Sequence, residues 1–186
     1  MKLVIVRHGE TIQNATHIVQ GQKLGTLSET GRQQIVEVAK ELKDEHFDVI
    51  YSSDLERCVD TSAAIRKYHK DTPFFLRTEL REFTFGIFEG RPSKSKVSHY
   101  GIVAGVALPK RVLGVGSPRN VRDRVIPFLN HIYEKHTNDT VLVVSHGGVI
   151  RIVKTVYENR KLNTFRDEVI PNCSDWRFDI TEPLVY

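Results

Sequence analysis

Five short apolar runs, KLVIV, DVIYS, FFL, TVLVVS and WRFDI, each bounded by turn or polar residues, constrain this chain's fold more than any other feature. Runs this short and rich in β-branched residues read as strands of a largely buried sheet. Between them the periodicity becomes helical. After Ser28 or Thr30, either one a plausible cap, Ile35, Val38, Ala39 and Leu42 recur at helical spacing with charges on the other face. Ser53 and Glu56 make a candidate capping box for a helix carrying Leu55, Val59 and Ala63. Ser117-Pro118 opens a third helix with a stripe of Val121, Val125, Phe128, Leu129 and Ile132, in which Pro127 predicts a kink or a weak hydrogen bond. A fourth starts at Gly147-Gly148 and buries Val149, Ile152, Val153 and Val156. Strands alternating with helices predict an α/β fold, a three-layer α/β/α sandwich around a mostly parallel central sheet.

From about residue 84 to 116 this rhythm breaks. Gly90, Gly101, Gly105, Gly114 and Gly116 are interspersed there with Arg91, Lys94, Lys96, His99, Lys110 and Arg111. The segment reads as a lid-like insertion over one end of the sheet, within a single domain spanning residues 1–186. A tolerated surface excursion is the duller reading, and each of these basic residues is more simply a solvated one.

Charge sets weaker bounds. A formal net charge of +4 is mildly basic, without the Lys/Arg block of a nucleic-acid arm, so small acidic ligands fit better than nucleic acid. The N-terminus begins in a strand pattern rather than a signal or transit peptide, and no apolar stretch is long enough to span a bilayer. With only Cys58 and Cys173, neither a disulfide scaffold nor a structural zinc site is expected, and a cytoplasmic location fits. A thiol phosphatase would place arginine six residues after its cysteine, but Ala64 and Asp179 stand there.

Three predicted strand ends carry chemistry of one type. KLVIV runs into Arg7-His8-Gly9, DVIYS into Ser53 with Arg57 one helical turn on, and TVLVVS into His146-Gly147-Gly148. In a parallel α/β sheet these ends face one edge, where ligands bind. Two arginines offer bidentate forks to phosphate oxygens, and glycines let backbone N–H groups approach an anion at a helix N-terminus. The convergence suits a dianion. A carboxylate for proton transfer is available as Glu82 or Glu89 of LREFTFGIFEG, or as Glu79 just before it.

The ordered elements RHGETIQN, SSDLERC, LREFTFGIFEG and SHGGVIR resemble the histidine phosphatase superfamily, also called the phosphoglycerate mutase-like family, from Met1 to about Tyr157. The resemblance implies a phosphoglycerate mutase-like fold, with His8 as the nucleophile that becomes a phosphohistidine. It implies that Arg7, Arg57 and His146 clamp the phosphoryl oxygens, that Glu82 donates and accepts the proton, and that Asn14 and the Gly147 N–H are further phosphate ligands. Thr11 is a weaker candidate, for positioning. No cofactor and no metal is expected. A site of His8, His146 and Glu82 could be pictured around a metal, but two flanking arginines would repel the cation.

The insertion is shorter than that of the cofactor-dependent mutases and lacks their paired-arginine and tyrosine pattern, which favours hydrolysis of a small phosphorylated metabolite. A second departure is VGSPRNVRDR, where family members often carry a glutamate just before the serine. Phosphoglycerate mutase activity and a non-catalytic phospho-ligand module are the alternatives, and a homodimer is left open. His17, His99 and His136 read as ordinary solvated histidines.

Overall fold

The computed structural model describes residues 1–92, 114–165 and 168–186. All five apolar runs are strands: β1 (Lys2–Arg7), β2 (Val49–Ser53), β3 (Phe74–Arg77), β4 (Thr140–Ser145) and β5 (Asp175–Asp179). They form one sheet in the order β3-β2-β4-β1-β5. β4 lies parallel to both β1 and β2, β2 lies parallel to β3, and β5 runs antiparallel to β1 at the edge. The helices are α1 (Ile12–Ala15), α2 (Glu29–Glu41), α3 (Glu56–Arg66), α4 (Pro118–Lys135) and α5 (Gly147–Tyr157).

Alternate strand residues enter opposite cores, as the period-two pleat requires. Val4, Val6, Leu142 and Val144 pack with Val38, Ala39 and Leu42 at α2 and with Cys58 and Ile65 of α3. Leu3, Ile5, Val141 and Val143 pack on the other face with Val125 and Leu129 of α4 and with Ile150 and Val153 of α5. The result is the expected three-layer sandwich. No helix among the described residues is long and apolar enough to cross a membrane.

Side chains cap α1, α2 and α4, whereas α3 and α5 start without a side-chain cap hydrogen bond. Ser28, not Thr30, caps α2: its Oγ accepts the Gly31 N–H at 2.9 Å and donates to Glu10 Oε1 at 2.7 Å, tying the helix to the loop after β1. Ser117 and Asn120 form a reciprocal capping box at α4. The expected Ser53–Glu56 box at α3 is absent, because Leu55 occupies the cap position and makes no side-chain hydrogen bond. The stripe expected there is also corrected. The buried face carries Arg57, Cys58, Thr61, Ser62, Ala64 and Ile65, whereas Val59 is half-buried and Ala63 exposed. Half of that face is polar, and a count of apolar residues cannot find it.

α4 is helical on both sides of Pro127. Pro127 and Asp123, whose carbonyl lacks the proline N–H, both lie on the exposed side, where water can serve the orphaned acceptor. Of the expected insertion, residues 84–92 and 114–116 are described, including a 3₁₀ turn at Gly86–Phe88 and a bridge from Phe85 to Val115. Lys94, Lys96, His99, Lys110 and Arg111 lie outside the described residues.

Two substitutions test this packing. Pro127→Ala should raise stability by about 1–3 kcal/mol, since it restores a helix hydrogen bond on an exposed face. Leu142→Ala, at a side chain with 0 % exposure in the central strand, should lower it by about 2–5 kcal/mol. Denaturant titration measures both, and a destabilised Pro127→Ala would contradict the description of α4.

Candidate active site

The register Arg7↔Ser145 between β1 and β4, with β2 on the far side of β4, puts Arg7-His8, Ser53 and Ser145-His146 along one edge of the sheet. His8 is 3 % exposed, and its backbone N–H donates to Ser145 O at 3.0 Å. Its Nδ1 lies 2.7 Å from Gly9 O. A carbonyl can only accept, so Nδ1 carries the proton and Nε2 keeps its lone pair.

The His8 ring meets His146 edge to face, with centroids 5.2 Å apart. His146 Nε2 shares a hydrogen bond with Ser53 Oγ at 2.9 Å, and the Cys58 thiol lies 3.5 Å from the same nitrogen. Thus Ser53, expected to cap a helix, instead orients an imidazole. Burial, reinforced by the positive charges of Arg57 and Arg7, holds both imidazoles well below the ordinary histidine value of 6.5. Both rings are therefore neutral near pH 7.

The two arginines are held by carbonyl oxygens. Arg57, 2 % exposed, donates from Nη2 to Gly21 O at 2.7 Å and from Nη1 to Lys23 O at 3.2 Å. Arg7 donates from Nη1 to Ile170 O. Nε of each is buried without a hydrogen-bond partner. Burial lowers both guanidinium pKa values, while the charge of Glu82 opposes the shift. A buried donor left unpaired costs about 1–3 kcal/mol, so each of these N–H groups favours an acceptor, and the charge on each guanidinium favours an anionic one.

Glu82 completes the group. Its Oε2 accepts the Gly148 N–H at 3.1 Å and its Oε1 the Phe83 N–H at 2.8 Å, which fixes the carboxylate at the first turn of α5. The other two candidate carboxylates, Glu79 and Glu89, are placed differently. Glu89 Oε1 accepts the N–H groups of Gln22 and Phe85, and so supports the loop whose carbonyls hold Arg57. The Glu79 carboxylate accepts from Thr78 Oγ1 at 3.5 Å.

Asn14 Oδ1 accepts the Thr11 N–H at 3.1 Å in the capping box of α1, which leaves its Nδ2 as the donor for any ligand. Thr11 caps α1 and donates to Gln20 Oε1 at 3.0 Å. Both cysteine thiols are pushed up to about 12, chiefly by burial, and are poor nucleophiles. Among the described residues, no group of three His, Cys, Asp or Glu side chains could hold a metal ion. His17 is exposed as expected, but His136 is half-buried, with Nδ1 paired to Asp139 and Nε2 hydrogen-bonded to the Tyr51 hydroxyl.

Several residues to which the sequence assigned no role support the site. Asn172 Nδ2 donates to His8 O at 2.9 Å, and the Cys173 N–H donates to Arg7 O at 3.1 Å. Arg81 Nε donates to Asp54 Oδ1 at 2.7 Å, joining the Glu82 segment to the end of β2. Arg124, one residue from the predicted stripe of α4, reaches the backbone of that same segment.

Neighbouring glycines should respond differently to a methyl group. A Cβ on Gly148 would lie 2.2 Å from Glu82 Oε1 and 2.5 Å from the Phe83 ring, whereas one on Gly147 would meet nothing closer than Arg7 Nε at 3.4 Å. Gly148→Ala should cost about 1–3 kcal/mol and displace Glu82, while Gly147→Ala should fold with near-normal stability. Thermal unfolding of the pair checks this. The histidines predict acid sensitivity. Below 6.5 the unfolded chain binds protons that His8 and His146 refuse in the folded state, so stability should fall as pH drops through that window. Urea midpoints between pH 7 and 5 should show the decline, with a shallower slope in His8→Ala.

Comparison with known proteins gives the family and the fold. The sequence model of the histidine phosphatase superfamily (branch 1) matches residues 3–183. The chain is 33% identical over 179 residues to phosphoglycerate mutase-like protein 4 of Arabidopsis thaliana, covering 93% of this chain and 76% of that protein. It is 35% identical over 155 residues to phosphoserine phosphatase 1 of Hydrogenobacter thermophilus, covering 81% and 73%. The structure of phosphoserine phosphatase from Entamoeba histolytica in complex with 3-phosphoglyceric acid superposes with a TM-score of 0.78 at 27% identity, covering 95% of this chain and 89% of that one. With His8, Arg7 and His146 at the carboxyl edge of the sheet and a family match over nearly the whole length, this chain is a member of the histidine phosphatase superfamily.

Proposed function

We propose that the protein is a metal-independent phosphomonoesterase that hydrolyses a small phosphorylated metabolite through a phosphohistidine on His8. The observation that carries this reading is the geometry at His8: Nδ1 donates to Gly9 O at 2.7 Å, which leaves the Nε2 lone pair for phosphorus, and the charges of Arg57 and Arg7, with burial, lower its pKa and favour the neutral ring. His8 Nε2 attacks phosphorus, the bond from phosphorus to the ester oxygen breaks, and Glu82 gives a proton to the departing alkoxide. Water then attacks the phosphohistidine, Glu82 takes its proton, the N–P bond breaks, and inorganic phosphate leaves. Arg7, Arg57, His146, Asn14 Nδ2 and the Gly147 N–H serve the phosphoryl oxygens, where charge accumulates in the transition state.

Relatives named as phosphoserine phosphatases support hydrolysis and a substrate with a short polar alcohol. Phosphate release from phosphoserine, 3-phosphoglycerate and other monoesters, measured with a chelator present, tests the proposal. Wild type should release phosphate and His8→Ala should not. Labelled phosphate should remain on denatured wild-type protein quenched during turnover. Arg7→Ala and Arg57→Ala should each lose roughly 100- to 1,000-fold in turnover, by analogy with the loss of a preorganised donor to an oxyanion. Phosphoryl exchange between the 2- and 3-positions of phosphoglycerate, without net release, would replace hydrolysis by mutase activity.

A further inference from the structure

Glu82 lies on neither a strand nor a helix. It follows a single 3₁₀ turn, Thr78–Leu80, and an extended Arg81, so no ladder of strand or α-helix hydrogen bonds holds its backbone in place. Side chains hold it instead. Arg124 Nη1 donates to Thr78 O at 3.0 Å and to Glu79 O at 2.6 Å, and Arg124 Nη2 donates to Arg81 O at 2.8 Å and to Glu82 O at 3.5 Å. The remaining carbonyl, Leu80 O, accepts from Ser145 Oγ at 2.8 Å, and Gln22 Nε2 donates to Glu82 O at 3.0 Å. Every carbonyl from residue 78 to 82 thus accepts from a side chain, and one guanidinium serves four of the five.

We infer that Arg124 is a positioning residue for the proposed proton transfer, setting where the Glu82 carboxylate stands relative to the first turn of α5. This rests on the reading of Glu82 as proton donor and acceptor. The planar fork suits the task, because it presents several N–H groups in fixed directions, whereas an ammonium is a point donor on a flexible stem. Its platform is rigid, since neighbouring Val121, Val125 and Phe128 of α4 are buried in the core. The positive charge also faces the carboxylate it positions, Glu82 being the largest electrostatic influence on Arg124 after burial. The segment has independent anchors in the fully buried Leu80 and in the Arg81–Asp54 pair. Loss of Arg124 should therefore displace Glu82 without unfolding the protein.

Leaving-group dependence separates this role from general support of the fold. Serine must leave phosphoserine with a proton, whereas nitrophenolate leaves 4-nitrophenyl phosphate without one. In single-turnover experiments, Arg124→Gln should release serine about 10- to 100-fold more slowly than wild type, on the scale of lost general acid catalysis. Nitrophenolate release should slow by less than about 3-fold, and inhibition by inorganic phosphate should be unchanged, because the Arg7 and Arg57 contacts are intact. Arg124→Lys, which keeps the charge but not the fork, should fall between the two and gives the same readout if Arg124→Gln fails to fold. Equal losses on both substrates, or weakened phosphate inhibition, would overturn the inference. Glu82→Gln run in parallel keeps the two readings apart. A leaving-group bias in Glu82→Gln but not in the Arg124 variants would sink the positioning role alone. No bias in Glu82→Gln would sink the proton-donor reading, and the positioning role with it.

Discussion

Two guanidinium groups sit at the carboxyl edge of the sheet with carbonyl oxygens as their hydrogen-bond partners, and much of the local architecture follows from holding them there. A carboxylate partner would neutralise the site for an incoming phosphate, whereas a carbonyl orients the fork and leaves its charge in place. The chain therefore has to bring carbonyls inward from its loops. Gly21, at a φ of +59°, turns the 21–23 loop so that two carbonyls meet Arg57, and Ile170 does the same for Arg7. The same charges, together with burial, keep His8 and His146 neutral. The proposed nucleophile and the proposed clamp are thus one electrostatic arrangement.

The segment before β5 shows how distant parts of the chain share this task. Arg151 Nε donates to Glu168 O, and Lys154 Nζ pairs with the Glu168 carboxylate, so α5 grips the start of the segment at residue 168. Asn172 and Cys173 then bond the backbone of Arg7 and His8 from behind, with Cys173 in the left-handed region at a φ of +56°. The antiparallel edge strand that follows extends the sheet, and the turn into it braces the end of β1.

Much of the fold was legible because burial leaves a periodic trace. Five apolar runs marked five strands, and the stripes of α2, α4 and α5 appeared at the expected spacing. The trace fails at α3, where Arg57, Thr61 and Ser62 lie inward because their polar groups find partners there: Arg57 on the 21–23 loop, Thr61 on the Gly9 N–H and Arg57 O, and Ser62 on Cys58 O. His8, His146, Arg7 and Arg57 could be singled out because strand ends in a parallel sheet converge. Glu82 owed its selection over Glu79 and Glu89 to family resemblance, since three carboxylates within eleven residues differ only in what their surroundings do with them. The roles of Ser53, Arg124 and Asn172 were out of reach because each acts through a tertiary hydrogen bond that leaves no mark on local pattern. Pro127 shows the reverse case, a strong local signal absorbed by an exposed helix face.

Everything proposed for the site requires that His8 be neutral, with its proton on Nδ1, before any substrate arrives. Nitrogen-resolved NMR of the ligand-free protein, following the His8 ring through a pH titration, tests this most directly. The account predicts the Nδ1–H tautomer and a titration well below 6.5, lowered by burial and by Arg57 and Arg7. An Nε2–H tautomer, or a titration at the ordinary value, would contradict it.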